Sequence, residues 1–174
     1  FEAKFTQSTY DQHQGLISEG SGSFQYKRPN LVRWITHYPV EQHIIINGQN
    51  IWVYDPDLEQ VLVDNYSNAR LSASPLFKLL DSGDDLVNLY SIQRSEDENK
   101  KTTFKLTAKL QNEPIKAIEI SFLAGILKSL SLHTHDQVSH FFFLNQSVNS
   151  MMDTSNFSFK IPLDTDVIDR SIFR

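Results

Sequence analysis

The feature that most constrains this chain is an alternating stretch that runs into a proline. From Gly20 through Gly22 and Phe24 to Tyr26, every second residue builds one face, which is the period of a β-strand. Lys27-Arg28-Pro29 follows. Pro29 has no N–H to give a ladder, so the strand must stop there and turn. Leu31 to Thr36 then reads as the return strand. Arg28 thereby stands at the last position of an aromatic-faced strand. It is either an ordinary solvated cation or, if turned to the apolar side, a group that must find acceptors, because a guanidinium stays charged in a protein.

The same punctuation recurs. Phe1, Ala3 and Phe5 share one face of an opening strand, with Glu2, Lys4 and Thr6 on the other. Gln12 to Gly15 supplies a turn. Gln42 to Ile46 and Ile51 to Tyr54 flank Asn47-Gly48, which predicts a type I′ hairpin with positive φ at both of those residues. Asp55-Pro56-Asp57 turns the chain again and Glu59 to Val63 returns.

Asn65 to Ser74 breaks the pattern. Pro75-Leu76-Phe77-Lys78-Leu79-Leu80 then sets apolar residues at helical spacing, with Ser74 as N-cap, Pro75 at the first helical position and Asp81-Ser82-Gly83 as the stop. A second helical turn fits Asp84 to Leu89. The remainder is a meander: Tyr90 to Arg94, Thr103 to Leu110, Ile115 to Phe122, Leu127 to Thr134, Val138 to Val148, and a short last strand at Phe157 to Ile161. About a dozen strands at hairpin spacing predict a mainly β chain with one antiparallel sheet curled toward a barrel. Roughly eight strands enclose an interior that side chains fill, whereas about a dozen leave a cavity unless something plugs it. A filled sandwich with the helix on its face satisfies the periodicity equally well.

The chain's 174 residues fit a single domain, 1–174. Net charge is −5 with no long basic run, which argues against a nucleic-acid partner. No apolar run reaches the roughly 18–20 residues of a membrane helix. The absence of cysteine excludes disulfides, thiolate metal sites, a cysteine nucleophile and a lipidated cysteine in the chain as given. Phe1 to Gln7 reads as the middle of a strand, not as a signal peptide, so residues are expected before it.

Little in the chain points to catalysis. His133 and His135 are expected to share a strand face near His140, yet no further residue completes a familiar ligand set. Neither a metal nor a cofactor is expected. Asp81, Asp84 and Asp85 around Gly83 do not match a calcium loop. There is no G-x-S-x-G elbow and no phosphate loop, and Gly20-x-Gly22 lacks the third glycine of a dinucleotide fingerprint. Trp52 and Tyr54, two residues apart, form an aromatic strand face of the kind more often found in a core than on a binding platform.

Four pieces taken together resemble a known family. They are Phe1-x-Ala3-x-Phe5-Thr6-Gln7, Lys27-Arg28-Pro29-Asn30-Leu31-x-x-Trp34, Asn47-Gly48-x-x-Ile51-Trp52-x-Tyr54-Asp55-Pro56-x-x-Glu59-Gln60, and Phe157-x-Phe159-x-x-Pro162-x-x-x-x-Val167. In this order they resemble the periplasmic outer-membrane lipoprotein carriers, the LolA family. The resemblance implies an incomplete antiparallel β-barrel of about a dozen strands, with a short helical lid at Pro75–Leu80 over an apolar cavity. The family's first helix and signal peptide would precede Phe1. It implies a periplasmic, non-enzymatic chaperone. Such a carrier accepts acylated lipoproteins from an inner-membrane ABC transporter and delivers them to an outer-membrane receptor. It also implies a lid latch, in which Arg28 bonds carbonyls near Leu79 and Leu80. One departure is Val32, where relatives often carry an aromatic.

A buried CH₂ is worth about 0.8 kcal/mol, so one acyl chain carries on the order of 10 kcal/mol of exposure cost that a carrier must cover. Candidate lining residues are Phe24, Trp34, Ile46, Trp52, Leu76, Phe77, Leu79, Leu80, Phe141 and Phe143. The expected molecule is a monomer. Three other readings share the fold: a receptor resembling the LolB family, which carries a lipidated cysteine and a protruding apolar loop, a carrier of another lipid or glycolipid, and an enzyme of unknown type. The missing cysteine and the short Thr36–Gln42 connection weigh against the receptor.

Overall fold

The computed structural model describes residues 1–66 and 84–171. The strands are β1 (Glu2–Asp11), β2 (Leu16–Lys27), β3 (Leu31–Tyr38), β4 (Gln42–Asn47), β5 (Asn50–Asp55), β6 (Gln60–Asn65), β7 (Tyr90–Glu96), β8 (Lys101–Ala108), β9 (Ala117–Leu123), β10 (Ile126–His133), β11 (Gln137–Ser147) and β12 (Asp166–Asp169). A short helix, α1 (Asp84–Leu89), precedes β7, and a 3₁₀ turn spans Thr154–Phe157. The expected lid at Pro75–Leu80 lies outside the described residues.

All twelve strands join one mainly antiparallel sheet in the order β12-β6-β5-β4-β3-β2-β1-β11-β10-β9-β8-β7, with β12 and β7 as its two edges. β12 departs from the expected antiparallel pattern by running parallel to β6. It replaces the strand expected at Phe157–Ile161. That segment instead holds the end of the 3₁₀ turn and irregular chain.

The chain divides into two compact units, and the division falls within β1, β2 and β11. The first comprises Phe1–Lys4, Ser21–Asp81 and Asn145–Arg174. β2 ends at Lys27 and β3 begins at Leu31, as the proline demands. The β4–β5 hairpin turns one residue later than the Asn-Gly signal suggests. Gly48 has a φ of +91°, whereas Asn47 is not left-handed. Asn47 uses its side chain instead, accepting from the Gln49 and Asn50 backbone N–H groups at 3.0 and 2.8 Å. Such an Asx interaction stabilises a tight turn without positive φ at the asparagine.

The second unit comprises Phe5–Gly20 and Ser82–Leu144. Its strands β8 to β11 separate an apolar face from a polar one, with a register shift between Leu127 and Ser129. Leu106, Ile118, Leu130, Leu132 and Phe141 are buried on one face. Lys105, Glu119, Ser131 and His140 line up across the other. The β9–β10 hairpin turns on Ala124 and Gly125, with φ of 51° and 75°, the two positive values a type I′ turn needs.

Candidate functional site

In the first unit, cross-strand register fixes which side chains share a face, because directly paired residues point the same way. Phe24 pairs Trp34, Tyr26 pairs Val32, Trp34 pairs Ile44, Val32 pairs Ile46, and Ile46 pairs Ile51. These residues form one continuous apolar face across β2 to β5. Phe24 lies between Phe1 and Trp34, with ring centroids at 6.0 and 5.3 Å. Phe24, Val32, Trp34, Ile46 and Ile51 are buried.

Trp52 does not belong to this set. It pairs Ile45 and Val63, which places it on the opposite face. There its ring and that of Tyr54 pack against Phe159, at 6.4 and 5.4 Å. The C-terminal segment covers that face. Its 3₁₀ turn packs on β3 and β4 and buries Phe157. Lys27 Nζ donates to the Met152 carbonyl at 2.9 Å and Arg33 Nη1 to the Asn156 carbonyl at 3.2 Å. A strand flanked by two apolar layers reads as apolar throughout, so Ile51-Trp52-Val53-Tyr54 carries no alternation by which to tell its faces apart. The aromatic pair Trp52/Tyr54 is half-buried and packs beneath Phe159.

Phe141 and Phe143 are buried in the second unit. Phe5 meets the Phe141 ring edge-on at 6.0 Å. Leu76, Phe77, Leu79 and Leu80 lie outside the described residues. Arg28 stands one residue beyond β2 and is exposed. Among the described residues no hydrogen bond or ion pair engages its guanidinium. Val32, where the family resemblance departs, is buried, so the change falls in the wall and not on an exposed rim.

The histidines separate. β10 ends at His133, and His135 falls in the following turn, so the two do not share a strand face. His140 Nδ1 bonds the Ser131 hydroxyl at 2.8 Å and its ring lies edge-on to Tyr10. His133 keeps Nε2 buried with no hydrogen-bond partner. Burial lowers its pKa, opposed by the neighbouring Glu119 carboxylate. Glu119 is itself pushed down, chiefly by its hydrogen bond from Lys105, whose Nζ stands 2.9 Å away. Among the described residues no cluster of three or more potential ligands could hold a metal.

Three residues that sequence reasoning passed over add polarity to the second unit's apolar face. Gln7 Nε2 donates to Thr9 Oγ1 at 3.1 Å, and Thr9 Oγ1 lies 3.0 Å from Ser139 Oγ. The available signal was the strand period. Gln7 and Thr9 continue the face of Ala3 and Phe5, where an apolar residue is expected.

The family model of the outer membrane lipoprotein carrier protein LolA matches residues 1–160. A protein of Hahella chejuensis named outer-membrane lipoprotein carrier protein is 34% identical, covering 97% of this chain and 81% of its own. One of the same name from Francisella philomiragia is 36% identical, covering 86% and 72%. Among solved structures, an uncharacterized conserved protein from Thermus thermophilus shares the fold, with a TM-score of 0.50 at 11% identity over 96% of this chain and 90% of that one.

Proposed function

The chain belongs to the outer membrane lipoprotein carrier protein family, LolA, and from that membership we propose that it is a periplasmic, non-enzymatic chaperone for acylated lipoproteins. The observation that carries this reading is the continuous apolar face of β2 to β5. Phe24, Trp34 and Ile46 lie on it as aligned neighbours in a sheet whose edges do not pair with each other. Acyl chains lie against that face; within the second unit, Phe141 and Phe143 are buried on an apolar face of its own. An inner-membrane ABC transporter loads the carrier, and an outer-membrane receptor unloads it. Trp52 stays out of the lining and holds the C-terminal segment.

The lid latch belongs to the same proposal. Arg28 has five N–H donors at an exposed strand end. In this proposal a short helix at Pro75–Leu80, outside the described residues, would offer free carbonyls near Leu79 and Leu80 at its C-terminal end. Charge-assisted bonds between them would favour the closed, empty carrier and oppose loading. Arg28→Leu is then expected to load normally and deliver poorly.

The test is direct. Protein purified without detergent is analysed by mass spectrometry for retained lipid. It is then incubated with a fluorescent diacylated lipopeptide, and transfer to acceptor vesicles bearing the outer-membrane receptor is followed. Retained acyl lipid and receptor-dependent transfer support the proposal. A chain that binds no acylated probe ends it.

A further inference from the structure

We propose that Ser139, held by Thr9 and Gln7, is a hydrogen-bonding subsite for an ester carbonyl of the acylated ligand, an inference that rests on the carrier reading above. Thr9 is buried, while Gln7 and Ser139 are only partly so. Ser139 pairs with Leu132 across β10 and β11, which sets it on the face of Leu130 and Phe141. Its neighbour His140 points the other way, to Ser131. The three polar groups therefore stand on a face whose buried residues include Phe5, Phe141, Leu130, Leu132 and Ile118.

Counting protons shows what the trio has left to give. The Gln7 amide donates to Thr9 Oγ1. The Thr9–Ser139 contact at 3.0 Å uses one hydroxyl proton, from whichever residue donates. Two hydroxyls carry two protons. The second has no acceptor among the described residues. Because Thr9 is buried and Ser139 is not, the accessible arrangement is a relay in which Gln7 donates to Thr9, Thr9 donates to Ser139, and Ser139 Oγ–H is offered outward.

A donor held on an apolar wall selects a ligand that brings an acceptor embedded in hydrocarbon. A fatty-acid ester meets that description, because its chains want the phenylalanines and its carbonyl wants one proton. Leaving that carbonyl unpaired against an apolar wall costs the ligand its hydration with nothing in return. A carboxylate or phosphate would ask for more donors than the trio offers. A second hydroxyl pair provides an internal control. Thr103 and Ser121 bond at 3.1 Å across β8 and β9 on the opposite, polar face of the sheet in this unit, where no acyl chain is expected.

The experiment compares two probes: a lipopeptide carrying two ester-linked palmitoyl chains, and its analogue with ether-linked hexadecyl chains, which lacks the carbonyls. Ser139→Ala should weaken ester-probe binding about three- to tenfold, the effect of one ordinary hydrogen bond, and leave ether-probe binding unchanged. Ser139→Thr should restore the ester preference. Thr9→Val, which leaves Ser139 unoriented, should lose a smaller part of it, and Thr103→Val none. Equal losses for both probes, or no loss for either, would reduce the trio to a cross-strand brace and overturn the subsite while leaving the carrier reading intact. If the unsubstituted protein binds neither probe, the carrier reading fails and the subsite falls with it.

Discussion

Strands β3 to β6 and strands β8 to β11 are both antiparallel meanders, yet they solve burial differently. The first set is apolar on both faces. One face carries Val32, Trp34 and Ile46, and the other carries Ile45, Trp52 and Val61 under the C-terminal segment. The second set is apolar on one face only. Its other face is a row of polar pairs, Lys105–Glu119, Thr103–Ser121 and Ser131–His140. Two apolar faces need two covers, so the first set must recruit remote chain. One apolar face leaves the other to polar groups, which pair with one another across the strands instead of recruiting an apolar cover.

The largest test of this contrast removes the cover's anchor. Phe157→Ala should cost about 3–5 kcal/mol, the usual range for a fully buried phenylalanine, and lower Tm by roughly 10 °C. Phe142→Ala, on the polar face of the second set and half exposed, should cost under about 1 kcal/mol. Urea denaturation of both variants decides. Similar losses would mean that the two sets do not differ in their need for cover.

A second test separates the two tryptophans. Trp52→Ala should destabilise the fold by about 2–4 kcal/mol while the remaining folded protein keeps its affinity for an acylated probe. Trp34→Ala should weaken probe binding at least several-fold. If Trp52→Ala abolished binding in protein shown to be folded, the assignment of faces would be reversed.

The contrast also explains what could be read from sequence. In β8 and β9 the alternation shows both the strands and their buried sides, whereas the Phe141-Phe142-Phe143-Leu144 run of β11 does not. In β3 to β6 the runs Ile44-Ile45-Ile46 and Val61-Leu62-Val63 show strands but hide the faces, which is why Trp52 is grouped with Trp34 on sequence alone. The Phe157–Ile161 segment has the right period for a strand, but its aromatic residues serve to cap a sheet face. Local pattern records that a residue is apolar, not which distant surface it meets. The Gln7-Thr9-Ser139 trio was illegible for the same reason, since its members lie up to 132 positions apart (139 − 7) and meet only through the sheet.

The hairpins give a third, smaller test. Asn47-Gly48 looks like the stronger type I′ signal, yet Ala124-Gly125 makes the turn with both φ angles positive. Ala124 bears a Cβ in a left-handed conformation, so Ala124→Asn or Ala124→Gly should stabilise by about 0.5–1 kcal/mol. Gly48→Ala should do the opposite and cost more than about 1 kcal/mol. Besides the φ of +91°, its new Cβ would stand 2.8 Å from the Asn30 side-chain oxygen. Equal responses at 48 and 124 in thermal melts would contradict the turn geometry.

The smallest expected effect lies on the polar face of the second set and concerns pH. His133 is partly buried with Nε2 unpartnered; its charge environment comprises Glu119, which favours protonation, and Lys105 and His140, which oppose it. Burial is the largest influence, so its folded pKa lies below the ordinary value of about 6.5. Above about pH 6.5 the ring is neutral whether the chain is folded or not, and the difference contributes nothing. As pH falls through about 6.5 toward the folded pKa, the unfolded chain takes a proton that the folded chain refuses, and stability falls. Glu119 acts in a separate window. Its folded pKa is depressed chiefly by the Lys105 hydrogen bond, so its stabilisation is present above the ordinary carboxylate pKa of about 4.5 and is lost only as pH falls through the folded value. Urea midpoints at about pH 7.5 and 5.5 should therefore differ less for His133→Leu than for the unsubstituted protein, while Lys105→Gln, which also removes a charge opposing His133 protonation, should shrink that interval only slightly and act mainly below about pH 4.5, where Glu119 titrates. An unchanged difference in His133→Leu would show that the ring is solvated in both states. The His133 end of the polar face would then be wet, in contrast with the covered face of β3 to β6.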